Sequence, residues 1–164
     1  MSKASVRRGA NLLVTGGLAG IVVWIGACYS LLSWVSFIAW VACVFSGATR
    51  RAAAIALFAL LAGALSGCLV GWLTHPFTRL LGQFSLPFVL CIAVGLIALL
   101  EELPSMGHVP IYFLGMIAYF ASGMPPGAAS MVSITIPTVL GIACGLLCPA
   151  ARNWLEKKAD VLLR

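Results

Sequence analysis

The most constraining feature of this chain is a long uncharged run near its N-terminus. From Ala10 to Leu32 no Asp, Glu, Lys or Arg interrupts a mostly apolar sequence, and a helix that crosses a bilayer needs about 20 such residues. Hydrophobic residues make up 62% of the whole chain and charged residues only 9%, whereas soluble domains carry about 25% charged residues. The sequence therefore predicts an all-α polytopic membrane protein and excludes a soluble enzyme and a disordered chain.

Five further apolar spans follow the first one. They are 33–47, 52–73, 84–100, 109–123 and 128–148. The second and fifth spans are short, because a helix of that length reaches roughly 22 Å against about 30 Å of hydrocarbon. Short segments at matching places in two halves are typical of transporter binding sites. The alternative is that the second span continues through Arg50 and the fifth is simply a short helix.

Polar breaks divide the predicted chain into five segments. They are a cytoplasmic basic arm (1–9), a first three-span repeat (10–73), an external linker (74–83), a second three-span repeat (84–148) and a cytoplasmic interfacial tail (149–164). With six crossings and a cytoplasmic N-terminus, every Lys and Arg except Arg79 falls on the cytoplasmic side, as positively charged loops prefer. The net charge of +6 thus lies beside the spans and forms no stripe for nucleic acid.

The two halves of the sequence resemble each other. An alignment that places Phe37 on Phe113 also places Ser46-Gly47 on Ser122-Gly123. After a slip of two residues, Gly63 and Gly67 align with Gly141 and Gly145. Since each half holds three spans, the halves would be inverted relative to each other, as in many transporters and channels.

Two motifs resemble a known family. The runs L-L-S-W-V-S-F-I-A from Leu31 and V-P-I-Y-F-L-G-M-I-A-Y-F-A from Val109 are similar to the YcdZ-like family of small bacterial inner-membrane proteins, a domain of unknown function. The resemblance implies a multi-pass protein of the bacterial inner membrane and transfers no catalytic or binding residue. Arg50-Arg51 departs from the Gly-rich turn that the resemblance implies after the second span.

Aromatic and hydroxyl residues in the short spans form the first candidate site. They are Phe37, Ser46, Tyr112, Phe113, Phe120 and Ser122. A pore for a small neutral solute needs aromatic walls that exclude water and a few oxygens that replace lost hydrogen bonds. The alternative is that the rings pack against lipid or neighbouring helices and the hydroxyls bond to their own helices.

Two further sets of residues invite a functional interpretation. Glu101, Glu102 and His108 could relay protons, because a carboxylate beside a histidine can titrate near neutral pH; alternatively they form a solvated helix end. The glycine pairs Gly63/Gly67 and Gly141/Gly145 predict close packing between the third and sixth spans.

These observations predict a homo-oligomeric protein of the lipid bilayer that passes a small uncharged solute. We expect no catalysis, no cofactor and no metal, since the six cysteines lie in or beside apolar spans without metal-ligand spacing. The alternatives are a proton-coupled transporter that uses Glu101, Glu102 and His108, and a membrane subunit or scaffold that transports nothing.

Overall fold

The computed structural model describes residues 3–99, 102 and 108–162. Within these residues the chain is all-α, as predicted, with six α-helices and one 3-10 turn (Gly82–Phe84). The helices are α1 (Lys3–Tyr29), α2 (Ser33–Phe45), α3 (Arg50–Leu81), α4 (Ser85–Leu99), α5 (Val109–Ser122) and α6 (Ala128–Leu162).

The long apolar helices fit a membrane protein. By length and composition, three segments of the described chain could cross a bilayer: Asn11–Tyr29, Arg50–Leu99 and Ala128–Lys158. The second of these combines α3, the 3-10 turn and α4. Helices α2 and α5 have 13 and 14 residues, so each is only about 20 Å long. Helix length therefore gives three candidate crossings where the sequence predicts six.

Most of the predicted linker over 74–83 is helical, because α3 continues to Leu81. Its polar side chains bond within the helix: the Thr74 hydroxyl donates to the Val70 carbonyl at 2.7 Å, and the Thr78 hydroxyl donates to the Thr74 carbonyl at 2.9 Å. Threonines can therefore sit in an apolar helix without unpaired hydroxyls.

A sharp turn between α3 and α4 follows directly. Gly82 has a φ of +53°, a conformation that glycine adopts without strain. Helix α4 then folds back on α3, with the rings of Phe77 and Phe88 5.8 Å apart and the hydroxyls of Thr78 and Ser85 3.3 Å apart.

The two predicted terminal segments are also helical where the structure describes them. Helix α1 begins at Lys3, inside the predicted arm, and α6 runs without interruption to Leu162. The predicted tail over 149–164 is therefore the end of α6 as far as residue 162, not a separate helix. At this end the Lys158 ammonium lies 4.8 Å from the centre of the Trp154 ring.

The helices pack in a reciprocal pattern. Helix α2 lies mainly against α6, and α3 mainly against α5; α1 packs on α6, α4 packs on α3, and the two long helices also touch. The main core joins side chains of α2, α3, α5 and α6, including Ala39, Leu60, Tyr112 and Ile142, and Ile97 of α4 packs into it from one side. The four inner helices α2, α3, α5 and α6 thus form the centre, with α1 and α4 outside.

The outer surface is strongly apolar. Large side chains such as Leu12, Trp24, Phe45, Trp72 and Leu80 are exposed, and only 11% of the apolar part of α1 is buried. Soluble monomers rarely leave contiguous apolar patches this extensive. The surface therefore suits contact with lipid.

Candidate functional site at the short helices

The short helices approach the long helices at backbone contact. A Cβ atom added to Gly63 of α3 would meet the Tyr112 carbonyl of α5, and one added to Gly141 of α6 would meet the Ser36 carbonyl of α2. A Cβ on Gly115 would likewise meet the Leu60 carbonyl. Any side chain at these positions would force the helices apart, so glycine is what permits the contact.

A second pair of glycines repeats this arrangement along the same helices. A Cβ on Gly67 would lie 2.8 Å from Cδ1 of Tyr119, and one on Gly145 would lie 2.6 Å from Cβ of Cys43. The alignment of Phe37 on Phe113 also aligns Ser36 with Tyr112 and Cys43 with Tyr119. The contacts of Gly63 and Gly67 therefore have counterparts at the aligned positions of the other half, in the contacts of Gly141 and Gly145.

The sequence predicts the wrong partner for these glycines. Their nearest neighbours are the short helices α5 and α2, not each other across the third and sixth spans. Gly115 in the middle of the fifth span is the signal that points to α5, because a small residue there also allows close approach. In α1, Gly16, Gly17 and Gly20 have nothing within 4 Å, so they do not pack that helix within the chain.

Ser36 is an unusual polar residue at this contact. It is 1% exposed, and its hydroxyl has no hydrogen-bond partner within the described part of the chain. The buried hydroxyl of Thr138, by contrast, donates to the Ile134 carbonyl at 2.7 Å. Unpaired buried hydroxyls are costly and uncommon. Ser36 is therefore able to offer a hydrogen bond to a polar solute.

The rings of Phe37 and Phe113 lie in two different grooves. The α1–α2 groove has a volume of about 630 Å³ and is lined by Phe37, Trp40 and Val41 of α2 with residues of α1 and α6. The α4–α5 groove has a volume of about 440 Å³ and is lined by Phe113 and other apolar residues of α4 and α5. The structure therefore does not bring the two rings together as one constriction.

The other predicted pore residues lie near the ends of the short helices. The Ser46 hydroxyl donates to the Ala42 carbonyl at 2.8 Å, and the Ser122 hydroxyl donates to the Tyr119 carbonyl at 2.6 Å. Both hydroxyls thus bond to backbone carbonyls of their own helices. This agrees with the alternative to a pore lining that the sequence analysis gives for these serines. Phe120 packs edge-on against Tyr119 at 5.5 Å and lines the α4–α5 groove.

The residues proposed for proton coupling are only partly described. Glu102 and His108 are exposed, and Glu101 lies outside the described residues. The His108 carbonyl accepts the amide of Ile111 at 2.8 Å at the start of α5. No Asp, Glu, Lys, Arg or His is among the buried residues that the structure describes.

The residues that could hold a metal are sparse. Nowhere in the described ranges do three or more His, Cys, Asp or Glu residues cluster. Cys43, Cys68, Cys144 and Cys148 are buried free thiols, and Cys43 lies against Gly145 of α6.

A family model described as a protein of unknown function (DUF1097) matches residues 12–153. The chain belongs to the DUF1097 family. The match covers all six helices in whole or in part, so the family shares this helical region. No curated protein and no solved structure matches the chain. The DUF1097 description does not include the YcdZ-like name, which stays a resemblance of the two sequence motifs.

Proposed function

We propose that this protein is a bacterial inner-membrane transporter for a small uncharged solute, built as two inverted halves of three crossings each. The reciprocal contact between the halves is the observation that supports it. Gly63 of the first half meets Tyr112 of the second, while Gly141 of the second meets Ser36 of the first, at positions that the internal alignment makes equivalent.

The helix pairing supports the inverted repeat in the same way. In the proposed repeat α1, α2 and α3 correspond to α4, α5 and α6. The contact between α2 and α6 then corresponds to the contact between α5 and α3, and the contact between α1 and α6 corresponds to that between α4 and α3. A two-fold relation requires every such contact to occur twice. With three crossings per half, the two halves have opposite orientations in the membrane.

Tight packing between the halves favours a transporter over an open pore. Backbone contacts at Gly63, Gly115 and Gly141 leave no space for a solute between these helices in this conformation. A solute would pass only when one half rocks against the other, which is how inverted-repeat transporters alternate access. Short helices in backbone contact provide surfaces that can slide without moving large side chains.

The chemistry of the interior favours an uncharged solute. The described buried polar residues are Ser36, Ser85, Ser130 and Thr138, which provide hydroxyls and no charge. A hydroxyl can replace a hydrogen bond that a neutral solute loses on leaving water, whereas a charged solute would require a counter-charge. Exposure of Glu102 and His108 gives the proton-coupled alternative less support.

The remaining parts of the proposal concern orientation and assembly. We propose that both termini are cytoplasmic, because this places every Lys and Arg except Arg79 on that side. We also propose a homo-oligomer without enzymatic activity, cofactor or nucleic-acid partner, since α1 leaves most of its surface uncovered within one chain.

We expect Ser36→Ala to lower solute flux with little effect on stability. Losing one hydrogen bond to a solute in transit costs about 1 kcal/mol, or about a fivefold drop in rate. The measurement is stopped-flow light scattering on proteoliposomes challenged with glycerol or urea. Ser66→Ala is the matched control, because the Ser66 hydroxyl already donates to the Ala62 carbonyl of its own helix.

Three outcomes of this experiment are informative. Flux above empty liposomes that falls in Ser36→Ala and not in Ser66→Ala supports the proposal. An equal fall in both variants would remove Ser36 from the solute path. No flux of either solute through folded wild-type protein would overturn transport of this solute class and favour the membrane subunit or scaffold.

A further inference from the structure

We propose that the α1–α2 groove binds an anionic glycerophospholipid, with an acyl chain against its apolar wall and the headgroup phosphate at Arg152. This site is separate from the proposed solute path and does not depend on transport. The groove has a volume of about 630 Å³, and among the described residues that line it Arg152 of α6 is the one that carries a charge.

The wall of the groove suits an acyl chain. Helix α2 provides Trp40, Val41, Val44 and Phe45, of which the last three are more than half exposed. Phe37 lies behind them and stacks on Trp40 with ring centres 6.4 Å apart. A long apolar trough on the surface of a membrane helix bundle is open to lipid along its length.

Two buried side-chain atoms at or beside the polar end of the groove have no hydrogen-bond partner within the described residues. They are Nε of Arg152, which lines the groove, and Oδ1 of Asn11, which lies one turn of α1 before the lining residue Thr15. Each residue lies one helical turn from the contact between Thr15 and Cys148, whose Oγ1 and Sγ atoms are 3.7 Å apart. A buried N–H group without an acceptor is costly, so an anion at this place would satisfy the Nε–H of Arg152.

A donor on Arg152 and an acceptor on Asn11 together fit a phospholipid with a hydroxylated headgroup. A phosphate accepts charge-assisted hydrogen bonds from a guanidinium, and a headgroup hydroxyl can donate to the Asn11 oxygen. Phosphatidylglycerol carries both groups.

The other half of the molecule offers an internal comparison. The α4–α5 groove is formed by aligned residues: Phe113 for Phe37, Met116 for Trp40 and Ile117 for Val41. Its lining is entirely apolar. The alignment of Gly63 with Gly141 places Thr74 where α6 has Arg152. The two grooves are thus lined by aligned residues of the two halves, and of the two linings only that of the α1–α2 groove includes a cation, which assigns the lipid headgroup to that groove.

Native mass spectrometry of the purified protein with added phosphatidylglycerol tests the proposal. We expect the wild type to retain one phosphatidylglycerol at an activation energy that strips phosphatidylcholine, and Arg152→Gln to lose most of this retention. Arg51→Gln is the charge control and should retain the lipid as the wild type does. Excess inorganic phosphate in a parallel sample should not compete, because the acyl chain contributes to binding.

A second pair of variants tests the groove without touching the charge. Val41→Trp fills the α1–α2 groove, and Ile117→Trp fills the aligned place in the α4–α5 groove; both positions are about half exposed, so both proteins should fold. We expect only Val41→Trp to lose phosphatidylglycerol. Equal retention of both lipids by the wild type, equal loss in Arg152→Gln and Arg51→Gln, or equal loss in the two Trp variants would each overturn the site.

Discussion

Gly141→Leu is expected to destabilise the protein severely, and Gly63→Leu to do the same. At both glycines a Cβ would meet a backbone carbonyl of a short helix, which cannot move aside as a flexible side chain can. Overpacking a well-packed core costs about 1–3 kcal/mol, and a clash with backbone falls at or above the upper end. We expect a fall in melting temperature of roughly 10 °C, since about 1 kcal/mol corresponds to roughly 2–4 °C in a chain of this size.

The measurement is thermal unfolding of the detergent-solubilised protein, with the yield of monodisperse protein as a second readout. Gly95→Leu in α4 is the matched control, because nothing lies within 4 Å of a Cβ at that position. The reciprocal packing requires Gly63→Leu and Gly141→Leu to have similar effects. A stability near that of the wild type in either variant, or a loss equally large in Gly95→Leu, would contradict the backbone contact.

Oxidation of a Gly145→Cys variant is expected to stop transport. A Cβ at position 145 would lie 2.6 Å from Cβ of Cys43 and 2.8 Å from its Sγ atom, whereas the Cβ atoms of a disulfide are about 3.8 Å apart. A shift of α6 from α2 by about 1 Å thus brings the two thiols to bonding distance. The disulfide would join a helix of the first half to a helix of the second.

If the halves must move for the solute to pass, this bond removes nearly all glycerol flux. A reductant should restore the flux, and mass spectrometry of proteolytic fragments should show the bond between residues 43 and 145. The same variant with Cys43→Ala cannot form the bond and should be insensitive to oxidant. Flux at the reduced rate through protein that is fully cross-linked would contradict movement between the halves.

The all-α class and the position of the helices could be predicted from the sequence because apolar runs and charged breaks alternate so clearly. The predicted short span 109–123 agrees closely with α5, whose end is set by the left-handed Gly123. The helical structure over most of the predicted linker 74–83 has a physical reason. Thr74 and Thr78 are polar in the sequence, but their hydroxyls bond to their own helix, so polarity there does not indicate a loop.

The candidate site could be predicted only in part. The glycine pairs were visible because their spacing allows close helix contact, but a spacing cannot say which helix makes the contact. The pairing of Phe37 with Phe113 came from the internal alignment, and aligned residues of a two-fold repeat lie at equivalent places, which here are separate grooves. The unpartnered hydroxyl of Ser36 depends on its three-dimensional surroundings, and no sequence pattern reveals it.

The central claim, two inverted halves that together cross the membrane six times, is most directly tested by cysteine labelling in whole cells. Single cysteines at Ser30, Thr49 and Met124 in a protein whose native cysteines are replaced sample the turns after α1, α2 and α5. Six crossings with a cytoplasmic N-terminus predict that a membrane-impermeant maleimide labels positions 30 and 124 in intact cells, and position 49 only after permeabilisation. Labelling of positions 30 and 49 from the same side would show that α2 does not cross the membrane and would contradict the inverted halves.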